Sequence, residues 1–135
     1  MKTITVDRLV LLLLTLLPDC QAIYRFGSYG TDAQRAESDI DLAVLPSAPL
    51  DSVHRWELAQ KLAALAGRDV DLVDLFGAST VLRMQIVAHG ERLYCADSNQ
   101  VEQFENVVYS SYARLNEERR DILADVRQRG NIYDK

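Results

Sequence analysis

The sequence is poor in the side chains that bind transition metals, with two cysteines and two histidines among 135 residues. Cys20 and Cys95 lie far apart and form no CxxC pair, and His54 and His89 have no neighbouring thiol or HxxxH partner. A structural zinc site needs several ligands at short, regular spacings. We therefore expect no zinc site, and interpret the cysteines as reduced core residues and the histidines as surface or helix-capping residues.

Positive charge is also scarce. The chain has 15 lysines and arginines against 20 aspartates and glutamates, which gives a formal net charge of -5. Proteins that bind a nucleic-acid backbone usually present an excess of lysine and arginine to the phosphates. We therefore expect no direct nucleic-acid binding, although mononucleotides held through metal ions remain compatible with this charge.

No hydrophobic run is long enough to cross a membrane. The longest, residues 9–17 (LVLLLLTLL), falls short of the ~18 residues that a span requires. Asp7 and Arg8 interrupt its approach, and no small-residue cleavage site follows Leu17, so the run does not resemble a signal peptide. We expect a buried helix here, no membrane contact and a cytoplasmic protein. With 48% apolar residues and no repeats or low-complexity linker, the chain should form one domain.

The spacing of apolar residues predicts alternating helices and strands. Helices are predicted at residues 6–17 with Thr5 as N-cap, from Asp51 or Ser52 to Gly67, from Ser79 to about Ala88, and from Ser98 onward. Strands are predicted at residues 22–26, 40–45, 70–75 and 92–95. This order predicts an α/β (α+β) fold, with a small mixed sheet flanked by helices. Residues 1–97 would form its core. Residues 98–135 would form a long helix, with a loose tail from Gly130, and this C-terminal part as a whole is expected to contact a partner.

Two aspartates open the second predicted strand. Asp39 and Asp41 are two positions apart, so their side chains point to the same face. Ile40, Leu42 and Val44 take the other face, which we expect to be the core, and this leaves the aspartates on the open side of the sheet. A hard divalent cation removes the repulsion between neighbouring carboxylates, and Mg²⁺ typically binds one or two carboxylates plus substrate phosphates. The pair therefore predicts a magnesium site.

A third carboxylate is expected from the next strand, VDLVDL. Asp71 and Asp74 point to opposite faces of this strand, so only one of them can join the pair. We select Asp71, because it repeats the apolar surroundings of Asp41, and predict that it holds the metal that activates an acceptor hydroxyl. Asp69 has the same parity and is the alternative. Two ions in such a site stabilise the attacking and leaving oxygens of an in-line displacement.

Gly27-Ser28 supplies a place for a triphosphate. A glycine permits close approach of the backbone, and the amides at a helix start favour anions. We therefore expect Gly27 and Ser28 to bind the nucleotide, with Gly30 keeping the turn open. A Gly-Ser pair alone is a weak signal, but a strand, Gly-Ser, a short helical segment and Asp-x-Asp in this order are much more specific.

Gly27-Ser28, followed after ten residues by Asp39-Ile40-Asp41-Leu42, resembles the signature of the DNA polymerase β-like nucleotidyltransferase superfamily, specifically its minimal members. The resemblance implies the fold of that superfamily, with residues 1–97 as the catalytic core. It also implies two Mg²⁺ ions held by Asp39, Asp41 and Asp71, with ATP as the nucleotide donor.

Minimal nucleotidyltransferases are often encoded beside a HEPN-domain protein as an antitoxin and toxin pair. The resemblance therefore implies transfer of AMP to a tyrosine hydroxyl of a HEPN ribonuclease, which inactivates it. One departure is that Tyr29-Gly30-Thr31 stands where family members often carry Ala-Arg-Gly, so a basic phosphate contact is missing, and Arg25 or Arg35 is a candidate replacement.

Two alternatives remain open at this level. The chain could mask a toxin by complex formation without catalysis, or it could adenylylate a small molecule such as an aminoglycoside. The second alternative is the less favoured, because a separate substrate domain of about 100 residues would not fit in this chain.

Overall fold

A computed structural model describes the backbone of residues 2–27 and 39–133 and the side chains of residues 6–27 and 39–128. These ranges contain the helices α1 (Lys2–Leu16), α2 (Ser52–Ala66), α3 (Thr80–His89) and α4 (Ser98–Tyr133). They also contain the strands β1 (Ala22–Phe26), β2 (Ile40–Leu45), β3 (Val70–Asp74) and β4 (Glu91–Cys95). The predicted α/β alternation is confirmed.

The four strands form one mixed sheet in the order β3-β2-β1-β4. Strand β1 is antiparallel to β2 and β4, whereas β2 and β3 are parallel and are connected through α2. The starts of β2 and β3 therefore meet the last residue of β1 at one end of the sheet. We call this the carboxylate end, because Asp41 and Asp71 lie there, and we call the opposite end, formed by Ala22, Leu45 and Cys95, the distal end.

Helices α1 and α2 cover one face of the sheet. The spacing of leucines along α1 places one apolar stripe against the strands, as the pattern predicts. The fully buried side chains of this layer include Leu9, Leu13, Ile23, Ile40, Leu42, Leu62 and Leu72. Burying one such side chain stabilises the fold by roughly 1.5 to 3 kcal/mol, so this layer is a main source of stability.

Helices α3 and α4 cover the other face, which contradicts the expectation that the aspartates lie on an open side. Ala43 and Leu45 share the face of Asp41, yet both are buried in a second cluster with residues of α3 and α4. The reason is that β2 is apolar on both faces after Asp41, which is typical of a central strand covered on two sides. The domain thus has three layers, and only its carboxylate end leaves the aspartates accessible.

Two helix ends differ from the prediction. Helix α1 begins at Lys2, so Thr5 lies inside the helix and is not its N-cap. No glycine or proline occurs in residues 2–5, so nothing prevents the helix from extending beyond the predicted start. Helix α4 likewise continues through Gly130 to Tyr133, where a loose tail was expected. A single helical glycine costs about 1 kcal/mol, which is too little to end this helix.

The predicted ends of α2 and α3 are confirmed. The Asp51 carboxylate accepts a hydrogen bond from the backbone N–H of His54 at 2.7 Å, so Asp51 is the N-cap of α2. Gly67 ends α2 with a φ of 72°, a left-handed conformation that favours glycine. Ser79 caps α3 by accepting a hydrogen bond from the N–H of Leu82 at 3.1 Å.

The remaining sequence features concern the cysteines and the apolar run. Cys20 and Cys95 are both free thiols, the first buried and the second partly buried. Burial raises the pKa of the Cys20 thiol to about 11, so this thiol is protonated at neutral pH.

Among the helices of residues 2–27 and 39–133, none combines the length and apolarity needed to cross a membrane.

Asp74 holds together the loops of the distal end. Its carboxylate is 8% exposed and accepts hydrogen bonds from the backbone N–H of Leu50 at 2.8 Å and of Phe76 at 2.9 Å.

Asp74→Ala leaves both donors without this acceptor, and we expect it to lower the free energy of unfolding by about 2 to 4 kcal/mol. Urea unfolding measures this loss. Asp7→Ala, at an exposed position of α1, is the control and should leave the midpoint nearly unchanged; an equal, small effect of both substitutions would contradict the assignment.

Candidate active site

Asp41 and Asp71 are direct neighbours across two parallel strands. They are Cα partners in the register of β2 and β3, so their side chains leave the same face of the sheet. Asp39 immediately precedes β2. Asp39 and Asp71 are exposed and Asp41 is half-buried. The structure thus brings Asp39, Asp41 and Asp71 to one end of the sheet. Their carboxylates are accessible to a ligand there.

The electrostatics of Asp41 reflect this crowding. Burial is the largest cause that raises the pKa of the Asp41 carboxyl, followed by repulsion from Asp71 and then from Asp39. The alternative third carboxylate, Asp69, does not contribute to this shift. It is exposed, and its backbone carbonyl accepts a hydrogen bond from the N–H of Ile40 at 3.0 Å. Of the two candidates for the third carboxylate, Asp71 is therefore the one that adjoins Asp41.

Gly27 lies against the carboxylate of Asp41. It adopts a φ of 77°, which side chains other than glycine rarely tolerate. A Cβ built at Gly27 would also collide with the Asp41 carboxylate, with the Asp41 Cγ only 3.1 Å away. The backbone after β1 therefore reaches the carboxylates because residue 27 has no side chain. Ser28 and Gly30 lie outside the described residues.

Phe26 is a site residue that the sequence reasoning missed. It is the Cα partner of Asp41 across the antiparallel pair of β1 and β2, so its ring and the Asp41 carboxylate leave the same face. The ring is partly buried against the cluster under α3 and α4, as is Val73 on β3. Phe26 thus forms an apolar flank of the site. The only signal in the sequence was its place directly before Gly27, and its proximity to Asp41 depends on the strand register.

Arg25 lies on the face of β1 opposite to the carboxylates. It is the Cα partner of Leu42, whose side chain is buried on the face covered by α1 and α2. Its guanidinium forms an ion pair with Glu91 of β4. Because residues alternate along a strand, Arg25 leaves the face opposite to Asp41, so the strand register does not favour this candidate. Arg35, the other candidate, lies outside the described residues.

The carboxylates match the donor preference of Mg²⁺ without forming a closed cage. Within the part of the chain that the structure describes, no group of three or more His, Cys, Asp or Glu side chains is gathered closely enough to hold an ion by itself. Mg²⁺ commonly takes one or two carboxylates and completes its octahedral shell with water and substrate phosphates. Asp41 and Asp71 offer such a partial set, so the residues fit an ion that binds together with a nucleotide.

Comparison with known proteins identifies this arrangement. Residues 13–99 match the profile of the polymerase beta nucleotidyltransferases. The chain belongs to the polymerase beta nucleotidyltransferase family. The match extends from α1 to the first turn of α4 and includes Gly27, Asp39, Asp41 and Asp71. The nucleotidyltransferase fold expected from the motif is confirmed, and its carboxylate end is the candidate active site.

Relatives within the nucleotidyltransferase family are similar over nearly the whole chain. The protein adenylyltransferase MntA of Shewanella oneidensis is 44% identical over 126 residues, which cover 93% of this chain and 90% of MntA. One solved structure, a toxin–antitoxin with AMP-PNP, is 46% identical with a TM-score of 0.79, over 89% of this chain and 96% of that one. Another contains a tri-AMPylated S. oneidensis HEPN toxin in complex with MNT antitoxin; it is 44% identical with a TM-score of 0.79, over 93% and 98% of the two chains.

Proposed function

We propose that this nucleotidyltransferase is an antitoxin that transfers AMP from ATP to a tyrosine hydroxyl of a cognate HEPN ribonuclease toxin and thereby neutralises it. The proposal is carried by one arrangement: Asp41 and Asp71 are paired on adjacent strands, and Gly27 lies against the Asp41 carboxylate. This arrangement occurs in a chain that is 44% identical to a protein adenylyltransferase. The relative with AMP-PNP supports an adenine nucleotide as donor. The relative in complex with an AMPylated HEPN toxin supports a protein acceptor.

Each site residue has a proposed role. Asp39, Asp41 and Asp71 would hold two Mg²⁺ ions, and bound Mg²⁺ would neutralise the carboxylates and the triphosphate as charge develops. Asp71 faces the acceptor side and orients the hydroxyl. Gly27 and Ser28 position the triphosphate through backbone amides and the Ser28 hydroxyl.

The chemistry is a displacement at the α-phosphorus. The acceptor oxygen attacks, the bond to the β-phosphate oxygen breaks, and pyrophosphate leaves. The acceptor proton passes to the Asp71 carboxylate or to water. Catalysis of this kind depends mostly on positioning and electrostatic stabilisation, which rigid strand ends provide.

The chain divides by role within its single domain. Residues 1–97 contain all the proposed catalytic residues and form the nucleotidyltransferase core. Residues 98–135 provide the partner contact, and the exposed apolar side chains of α4 support this role.

The test uses purified chain, ATP labelled at the α-phosphate, Mg²⁺ and the HEPN toxin encoded beside it. Label and a mass increase of whole AMP units should appear on the toxin, and its ribonuclease activity should fall. The variant with Asp39→Asn and Asp41→Asn should bind the toxin but transfer no label. Neutralisation by this variant equal to wild type would instead show an antitoxin that acts by masking, and label on a small molecule alone would show a different acceptor.

A further inference from the structure

Helix α4 runs from the distal end of the sheet towards the carboxylate end. Its early residue Val101 is buried in the same cluster as Ala22 and Leu45 of the distal end. One turn later, the Glu105 carboxylate accepts a hydrogen bond at 2.7 Å from the hydroxyl of Tyr24, which is the middle residue of β1. The following turns therefore approach the carboxylate end on the face that carries Asp41.

The helix is much longer than the sheet on which it lies. Its 36 residues span about 54 Å, whereas a strand as long as β1 spans about 17 Å. Val108 is the last buried side chain of α4 in the described ranges, and all side chains of residues 117–128 are exposed. The second half of α4 thus projects past the carboxylate end of the sheet.

The projecting part carries an apolar surface that the rest of the domain does not cover. Ile122, Leu123 and Val126 are 61%, 59% and 56% exposed and lie within about one turn of each other. We call these three residues the α4 ridge. A helical segment of this length is marginal in water without packing, so an apolar ridge on it indicates a binding surface.

The charges around the α4 ridge indicate what kind of molecule it binds. Residues 117–127 contain four acidic and three basic side chains: Glu117, Glu118, Asp121 and Asp125, with Arg119, Arg120 and Arg127. RNA or an anionic membrane would require a clear excess of basic residues. Apolar side chains surrounded by mixed charges are instead typical of a contact with a folded protein.

We infer that the α4 ridge docks the protein acceptor and presents its hydroxyl to the carboxylate end of the sheet. The inference rests on the proposed function, because it takes the HEPN toxin as the acceptor. Its own support is geometric: the half of α4 that carries the ridge extends past the carboxylate end of the sheet, the end from which the carboxylates are accessible. A small-molecule acceptor would gain nothing from a ridge that stands outside the sheet.

The test is a toxin titration with the double variant Ile122→Glu and Val126→Glu. Glutamate is a good helix former, so the helical circular dichroism should not change. We expect the KM for the toxin to rise about tenfold or more, as for the loss of central interface residues, with kcat at saturating toxin within about twofold of wild type. Val53→Glu is the matched control, because Val53 is 64% exposed but lies on the first turn of α2, at the distal end. It should leave KM unchanged.

The outcomes separate the inference from the proposed function. A wild-type KM in the double variant, while wild-type protein labels the toxin, overturns the inference and leaves the proposed function intact. If wild-type protein labels no toxin, the proposed function fails, and equilibrium binding then decides: weaker toxin binding by the double variant supports docking at the α4 ridge, and equal binding overturns it. A wild-type dimer that the double variant abolishes, with toxin binding unchanged, would assign the ridge to a second copy and also overturn the inference.

Discussion

Asp41→Asn should lower the rate of AMP transfer by about 10² to 10³-fold. The substitution removes a charged ligand of the proposed Mg²⁺ site, and this metal would in turn bind the triphosphate. Asp71→Asn should cause a loss of similar size. Asp69→Asn should retain most of the activity, because Asp71, and not Asp69, is the register partner of Asp41. Initial rates of label transfer at saturating ATP measure these effects. A large loss for Asp69→Asn with little loss for Asp71→Asn would reverse the assignment of the third carboxylate.

Asp41→Asn should also make the metal-free protein more stable. Burial and the charges of Asp71 and Asp39 raise the folded-state pKa of Asp41, so the ionised carboxylate destabilises the folded state above that pKa. The penalty shrinks as the pH falls through the folded pKa and is gone below the ordinary carboxyl pKa of the unfolded chain. Asp41→Asn should therefore raise the melting temperature at neutral pH, and the gain should shrink at acidic pH. Scanning calorimetry without divalent ions tests this, and a lower melting temperature at neutral pH would contradict it.

Gly27→Ala should reduce AMP transfer by about 10²-fold, since a misplacement of reactive groups by roughly 1 Å has an effect of this size. The new Cβ would collide with the Asp41 carboxylate, and either the carboxylate or the turn would have to move. The left-handed backbone adds a penalty of about 1 to 2 kcal/mol to the free energy of folding.

Gly67→Ala is the control for the backbone penalty. Gly67 has a φ of 72°, close to that of Gly27, but a Cβ at this position meets no atom within 4 Å. Gly67→Ala should lose stability through the backbone penalty alone and Gly27→Ala at least as much, whereas only Gly27→Ala should lose activity when both are assayed well below their melting temperatures. Equal activity losses would show that destabilisation, and not the contact with Asp41, explains the effect.

The local features of the fold were predictable because they depend on neighbours in the chain. The caps at Asp51 and Ser79 and the stop at Gly67 follow from backbone groups within a few residues. The opposite faces of Asp71 and Asp74 follow from the period of a single strand. The interpretation of Asp74 as a residue outside the proposed site also agrees with its two hydrogen bonds to loop amides.

Features that depend on pairing between distant segments were missed or left open. The face of Arg25, the position of Phe26 beside Asp41 and the choice between Asp69 and Asp71 all require the strand register. The expectation of an open face failed for a related reason. The apolar residues on both faces of β2 indicate cover on two sides, but the elements that provide it on the face of Asp41, α3 and α4, follow β2 by tens of residues.

The sequence by itself therefore determined the order of elements, the capped helix ends and the Gly-Ser and Asp-x-Asp signature of a nucleotidyltransferase, because each is encoded within a short stretch of backbone. The tertiary structure decided which aspartate adjoins Asp41, that Gly27 contacts it, and that α4 projects past the carboxylate end. These facts arise from strand register and helix direction, which are fixed by the packing of residues far apart in the chain.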